Sequence, residues 1–139
     1  MARPRTEQPT PNELEVLKVV WQRGPSTVRQ VLDEMNRKRP RAYTSVMSLL
    51  NVMVEKGLLN REPQGKAFLY TAAVEEELTL KRMVGDLVER VFGGSPELLV
   101  AHALEQTDPS PGELEAMQRL IDEYRSRQRN HESSGTKPE

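Results

Sequence analysis

Apolar positions recur along the chain in short blocks, and the spacing inside each block names its element. Leu14, Leu17, Val20 and Trp21 repeat at helical intervals. Thr10 before them can cap that helix, with Pro11 at its first position and Glu13 closing a capping box. Gly24-Pro25 ends it. Val28, Val31, Leu32 and Met35 form a second stripe, started by Ser26 or Thr27. Val46, Leu49, Leu50 and Met53 form a third, predicted to run from about Tyr43 to Lys56 and to stop at Gly57. Two strand-like runs follow, Leu58 to Arg61 and Lys66 to Thr71. Phe68 and Tyr70 alternate in the second, and Glu62-Pro63-Gln64-Gly65 is the expected turn between the runs.

Beyond Ala72 the period is helical again. Leu80, Val84, Leu87, Val88, Val91 and Phe92 make one stripe, ended by Gly93-Gly94. Ser95 starts a short helix with Leu98, Leu99, Ala103 and Leu104, and Ser110-Pro111 with Glu113 starts another with Leu114, Met117, Ile121 and Tyr124. The expected organisation is a polar arm at 1–9, a three-helix-plus-hairpin domain at 10–74, a helical segment at 75–127 and a disordered polar tail at 128–139. The fold class is mainly α: a winged helix-turn-helix followed by a helical dimerisation segment.

Charge sharpens this division. Residues 1–74 carry 12 Lys/Arg and 7 Asp/Glu, and residues 75–139 carry 8 and 14, so a basic half adjoins an acidic one within a net charge of −1. Composition excludes more than it suggests. The chain has no Cys, which removes thiolate metal sites and Cys nucleophiles, and its two His, at 102 and 131, have no metal-ligand spacing. No phosphate-binding loop, nucleophile elbow or zinc-protease motif is present, so no enzyme and no cofactor are expected. Glu75-Glu76-Glu77 suits a helix start better than a metal. With neither a leader-like nor a membrane-length apolar run, the expected location is the cytoplasm.

Three helices and a hairpin, with a short turn between the second and third, is the order of a DNA-binding winged helix. If Val46, Leu49, Leu50 and Met53 face inward, Thr44, Ser45, Ser48 and Asn51 face outward. Such short hydrogen-bonding side chains let a helix lie deep in a major groove. Arg29, Arg39 and Arg41 near the helix N-terminus, and Arg61 and Lys66 on the wing, are the candidate phosphate contacts. The alternative is a protein-binding module of the same shape without specific DNA recognition. The amphipathic helices of the second half find little core within one chain. Leu80, Val84, Leu87, Val91, Leu98, Leu99, Leu114, Met117, Ile121 and Tyr124 are therefore expected to pack against a second copy.

Particular residues resemble a known family. Thr10-Pro11-Asn12-Glu13-Leu14-Glu15-Val16-Leu17, Trp21, Ser26 to Val31, Ala42 to Leu50, Val54-Glu55-Lys56-Gly57-Leu58-Leu59 and Lys66 to Tyr70 are similar to the penicillinase-type repressors of the BlaI/MecI/CopY family. The resemblance implies a homodimeric winged-helix repressor of bacterial operons, with base contacts falling on Tyr43, Thr44, Ser45 and Ser48. Val52 stands where family members often have Arg. Copper-responsive members use a Cys-rich motif that this chain lacks. Penicillin-responsive members are cut at an Asn-Phe pair through a membrane sensor protease. His102-Ala103 stands at that place and does not match it.

Overall fold

The computed structural model describes residues 8–134, and contacts divide the chain into two compact units, 1–87 and 88–139. The division falls inside a helix, further along the chain than the 74/75 boundary expected from sequence.

The first unit is built on three helices. α1 (Pro11–Arg23) starts at Thr10, whose hydroxyl accepts from Glu13 N while the Glu13 carboxylate accepts from Thr10 N at 3.0 Å. α2 (Val28–Met35) has the same device in Thr27 and Gln30. This settles the choice between Ser26 and Thr27. α3 (Tyr43–Lys56) ends on Gly57 at φ +87°, a left-handed cap that glycine adopts without a Cβ penalty. The apolar stripes of the three helices meet in one core. Val16, Leu17, Val20, Val31, Leu32, Met35, Val46, Leu50 and Met53 are all buried there, with Leu58, Leu59 and Tyr70 closing it from the hairpin. Residues of this kind contribute about 1.5–3 kcal/mol each on full burial.

The hairpin pairs β1 (Leu59–Gln64) with β2 (Ala67–Ala72) in antiparallel register. The turn is tighter than the sequence suggests. Gln64 pairs with Ala67, which leaves only Gly65 and Lys66 between the strands. Gly65 has φ +63° and Lys66 does not have positive φ, the pattern of a type II′ turn, whose twist matches that of the strands. Pro63 therefore lies within β1 and not in the turn. It is paired with Phe68, one position from the closing pair, where a strand residue points its N–H away from its neighbour. A proline loses nothing from the ladder there. On the far side of β2, Ser26 and Tyr70 exchange two backbone hydrogen bonds, of 3.0 and 2.8 Å. The α1–α2 connection thus acts as a third strand, and Ser26 is fully buried. The indole N–H of Trp21 donates to Val74 O at 3.0 Å and fixes the exit from the hairpin.

α4 (Glu76–Arg90) opens with Glu76 and Glu77 in its first turn and buries Thr79. α5 (Pro96–Thr107) is capped by Ser95, and α6 (Pro111–Ser134) by a Ser110–Glu113 capping box. Two expectations about the chain ends are corrected. Residues 128–134 are helical, continuing α6, and the expected disordered tail otherwise lies outside the described residues. Of the expected arm, Gln8 is half-buried and Pro9 buried, and 1–7 lies outside the described residues.

Candidate nucleic-acid interface

α3 turns one face to the core and leaves the opposite one to solvent. Tyr43, Thr44, Ser45 and Ser48 are exposed, with Thr44 and Ser48 one turn apart on the same stripe. Met47 lies on this face too and is exposed. Its spacing from Tyr43 and Thr44 could have placed it there from sequence. Ala42, the N-cap of α3, supplies no side-chain hydrogen bond, so the first-turn N–H groups are left uncapped among the described residues.

Between α2, α3 and the wing lies a cleft of about 430 Å³. Its walls carry Arg29, Arg61 and Lys66 beside Tyr43, Met47 and Phe68, and no carboxylate is among its described lining residues. The cations are set on aromatic faces. The Arg29 guanidinium lies 5.3 Å from the Tyr43 ring centre, and that of Arg61 lies 4.5 Å from the centre of Phe68. Lys66 is exposed at the hairpin tip.

Two of the residues expected at the interface are committed inside the fold. Asn51 is half-buried, and its amide oxygen accepts from Arg61 at 2.8 Å and from the Tyr70 hydroxyl at 3.1 Å. It joins helix to wing and does not stand free on the outer face. Arg41 differs more. Its side chain is only 12% exposed, donates to Glu15 at 2.7 Å and to Met35 O at 3.2 Å, and so braces the α2–α3 connection against α1. At the other end of α3, Lys56 pairs with the buried carboxylate of Glu13 at 2.8 Å. α1 is thus tied both to the connection that leads into α3 and to the last turn of α3, a feature the sequence did not reveal because each pair joins distant positions. Arg29 and Arg39 are exposed.

The apolar stripes beyond the hairpin are open in both units. In the first, Val84 and Leu87 are exposed and Leu80 is partly covered; in the second, Val91, Leu98, Leu114, Ile121 and Tyr124 are exposed and Leu99 and Met117 are partly covered. On α5 the His102 ring lies against Phe92, with Nδ1 2.9 Å from Leu98 O.

A family model described as penicillinase repressor matches residues 9–123. The chain belongs to the penicillinase repressor family. It is similar to the penicillinase repressor of Bacillus licheniformis, at 24% identity over 117 residues, 84% of this chain and 91% of that protein. It is also similar to the transcriptional regulator BlaI of Mycobacterium tuberculosis, at 29% identity over 129 residues, 91% of this chain and 92% of that one. Among solved structures, the monomeric form of Bacillus licheniformis BlaI in complex with the blaP half-operator is 27% identical. It covers 52% of this chain and 89% of its own, with a TM-score of 0.46. As a member of the penicillinase repressor family, this chain is a DNA-binding transcriptional repressor and not an enzyme.

Proposed function

We propose that this repressor acts as a homodimer on a near-palindromic operator. In this reading the outer face of α3 enters the major groove and the wing holds the flanking backbone. The observation that carries it is the single face on which exposed Thr44, Ser45 and Ser48 adjoin the cation-lined cleft of Arg29, Arg61 and Lys66. Tyr43, Thr44, Ser45 and Ser48 then meet base edges, while Arg29, Arg39, Arg61 and Lys66 meet phosphate. The open α3 N-terminus favours a phosphate as well. Arg41, engaged with Glu15, supports the fold of this surface from behind.

The homodimer is supported by the open apolar positions of α4, α5 and α6, from Leu87 at 40% to Leu120 at 64% exposure. Burying them against a second copy removes apolar surface from water and presents two α3 helices to two half-sites. A repressor of this kind works in the cytoplasm, and no helix among the described residues is long and apolar enough to cross a membrane. Because His102-Ala103 does not match the family's cleavage pair, no cutting site is assigned to it.

A gel-shift titration against the DNA upstream of the protein's own gene, with unrelated competitor DNA and varied salt, tests the reading. A specific shift at sub-micromolar protein that weakens steeply with salt is expected. Binding no better than to competitor would overturn operator recognition and favour a protein partner for the same surface.

A further inference from the structure

Asn51 occupies the outer side of α3, and the obvious role for an asparagine there is to read adenine. That contact is bidentate: the amide oxygen accepts from the base while the amide nitrogen donates to it. Here the oxygen is already taken. An amide oxygen has two lone-pair sites, and Arg61 and Tyr70 donate to it at 2.8 and 3.1 Å. Reading a base in this way would break the link between α3 and the wing.

The same link determines where Arg61 points. Arg61 is exposed on β1, where a long side chain normally samples many rotamers. Its guanidinium is held instead from two sides, by the Asn51 oxygen on α3 and by the face of Phe68 on β2. Arg61 and Phe68 are diagonal neighbours across the hairpin, because Arg61 pairs with Tyr70 and Pro63 with Phe68. The guanidinium therefore borders the cleft in one orientation before any ligand arrives.

We propose that Asn51 is a positioning residue for the wing, fixing Arg61 toward the DNA backbone instead of reading a base. This rests on the operator reading above. Asn51 acts through Arg61, so removing either should lose the same contact. Tyr70 completes the acceptor shell of Asn51 without presenting a charge.

The test is an anisotropy titration of the full chain on its footprinted operator and on unrelated DNA, at several salt concentrations, with thermal unfolding of each variant alongside. Asn51→Ala should weaken both DNAs by the same factor, roughly three- to tenfold. It should also make the salt slope shallower by about 0.9, the value of one lost phosphate contact. Arg61→Ala should do the same, and the double variant should be no weaker than Arg61→Ala alone. Tyr70→Phe, which removes one hydrogen bond but keeps the Arg61–Asn51 pair, should keep the wild-type salt slope even if it unfolds earlier. Losses that multiply in the double variant, or an Asn51→Ala variant with altered preference at one operator position, would overturn the proposal. The Nη1–H resonance of Arg61, the group that donates to Asn51, gives a second reading in the DNA-free protein. It should exchange slowly in the wild type and rapidly in Asn51→Ala, and rapid exchange in the wild type would also overturn the proposal. If the unmodified protein fails to bind any operator specifically, the operator reading fails, and the Arg61 resonance still decides whether Asn51 holds that side chain.

Discussion

Glu13 is a surface-type residue in the core of the first unit. One carboxylate oxygen accepts from Thr10 N and the other from Lys56 Nζ, and the residue is 3% exposed. The first contact was legible because a capping box is local: threonine, two residues, then glutamate. The second was not, since nothing in the spacing of α1 points to a lysine 43 positions away. Glu13→Ala removes both, and Lys56 can still reach water. A loss of about 2 kcal/mol in unfolding free energy is expected in a urea titration. Thr44 and Ser48 behave differently, because no core contact depends on them. Thr44→Ala and Ser48→Ala should leave stability within about 0.5 kcal/mol and change the ranking of operator variants in competition binding. An unchanged ranking would remove α3 from base recognition. Arg41, expected among the phosphate contacts, is engaged with Glu15 in the DNA-free fold. It lies in a basic run, and composition cannot tell which member of such a run finds an acid behind it.

At the scale of elements, the stripes of α1, α2 and α3 were readable because burial imposes the helical period on the residues themselves. The wing was readable as a hairpin, but the expected turn, Glu62 to Gly65, begins too early. Proline signals a turn when taken alone. The register of Leu59 with Ala72 instead carries Pro63 into the strand and leaves the reversal to Gly65 and Lys66. Lys66→Ala should therefore leave the hairpin intact and weaken operator and unrelated DNA alike, with a salt slope shallower by about 0.9. A selective loss on the operator would mean that the wing reads sequence. The polar composition from Gln128 onward predicts disorder, yet α6 runs on to Ser134 because nothing breaks it. From Glu113 to Ser134 there is neither glycine nor proline, and Arg, Gln and Glu are good helix formers. Gly135 follows the last described helical residue.

For the whole molecule, the charge asymmetry takes on a physical meaning. The basic half holds α3 and the wing, and the acidic half holds the exposed apolar stripes. An acidic surface beside an apolar one discourages that half from settling on DNA. Substituting Glu at Leu114, Met117 and Ile121 together should give a monomer by sedimentation. If the proposed dimer is correct, that monomer should bind a single half-site like the wild type and the full operator at least about 100-fold more weakly, since the second contact is no longer intramolecular. A wild-type mass equal to one chain would remove the dimer from the account.

Pro63 has a consequence for the molecule as a surface among other molecules. Among the described residues β1 pairs only with β2, so its other edge is a row of backbone groups open to a passing strand. The missing N–H of Pro63 falls on that outer edge and interrupts the row. Wings crowded together on neighbouring operators, or in a concentrated solution, then lack the unbroken template needed to zip edge to edge. Pro63→Val would repair the template, and its cost would appear as turbidity at high concentration with no loss of fold.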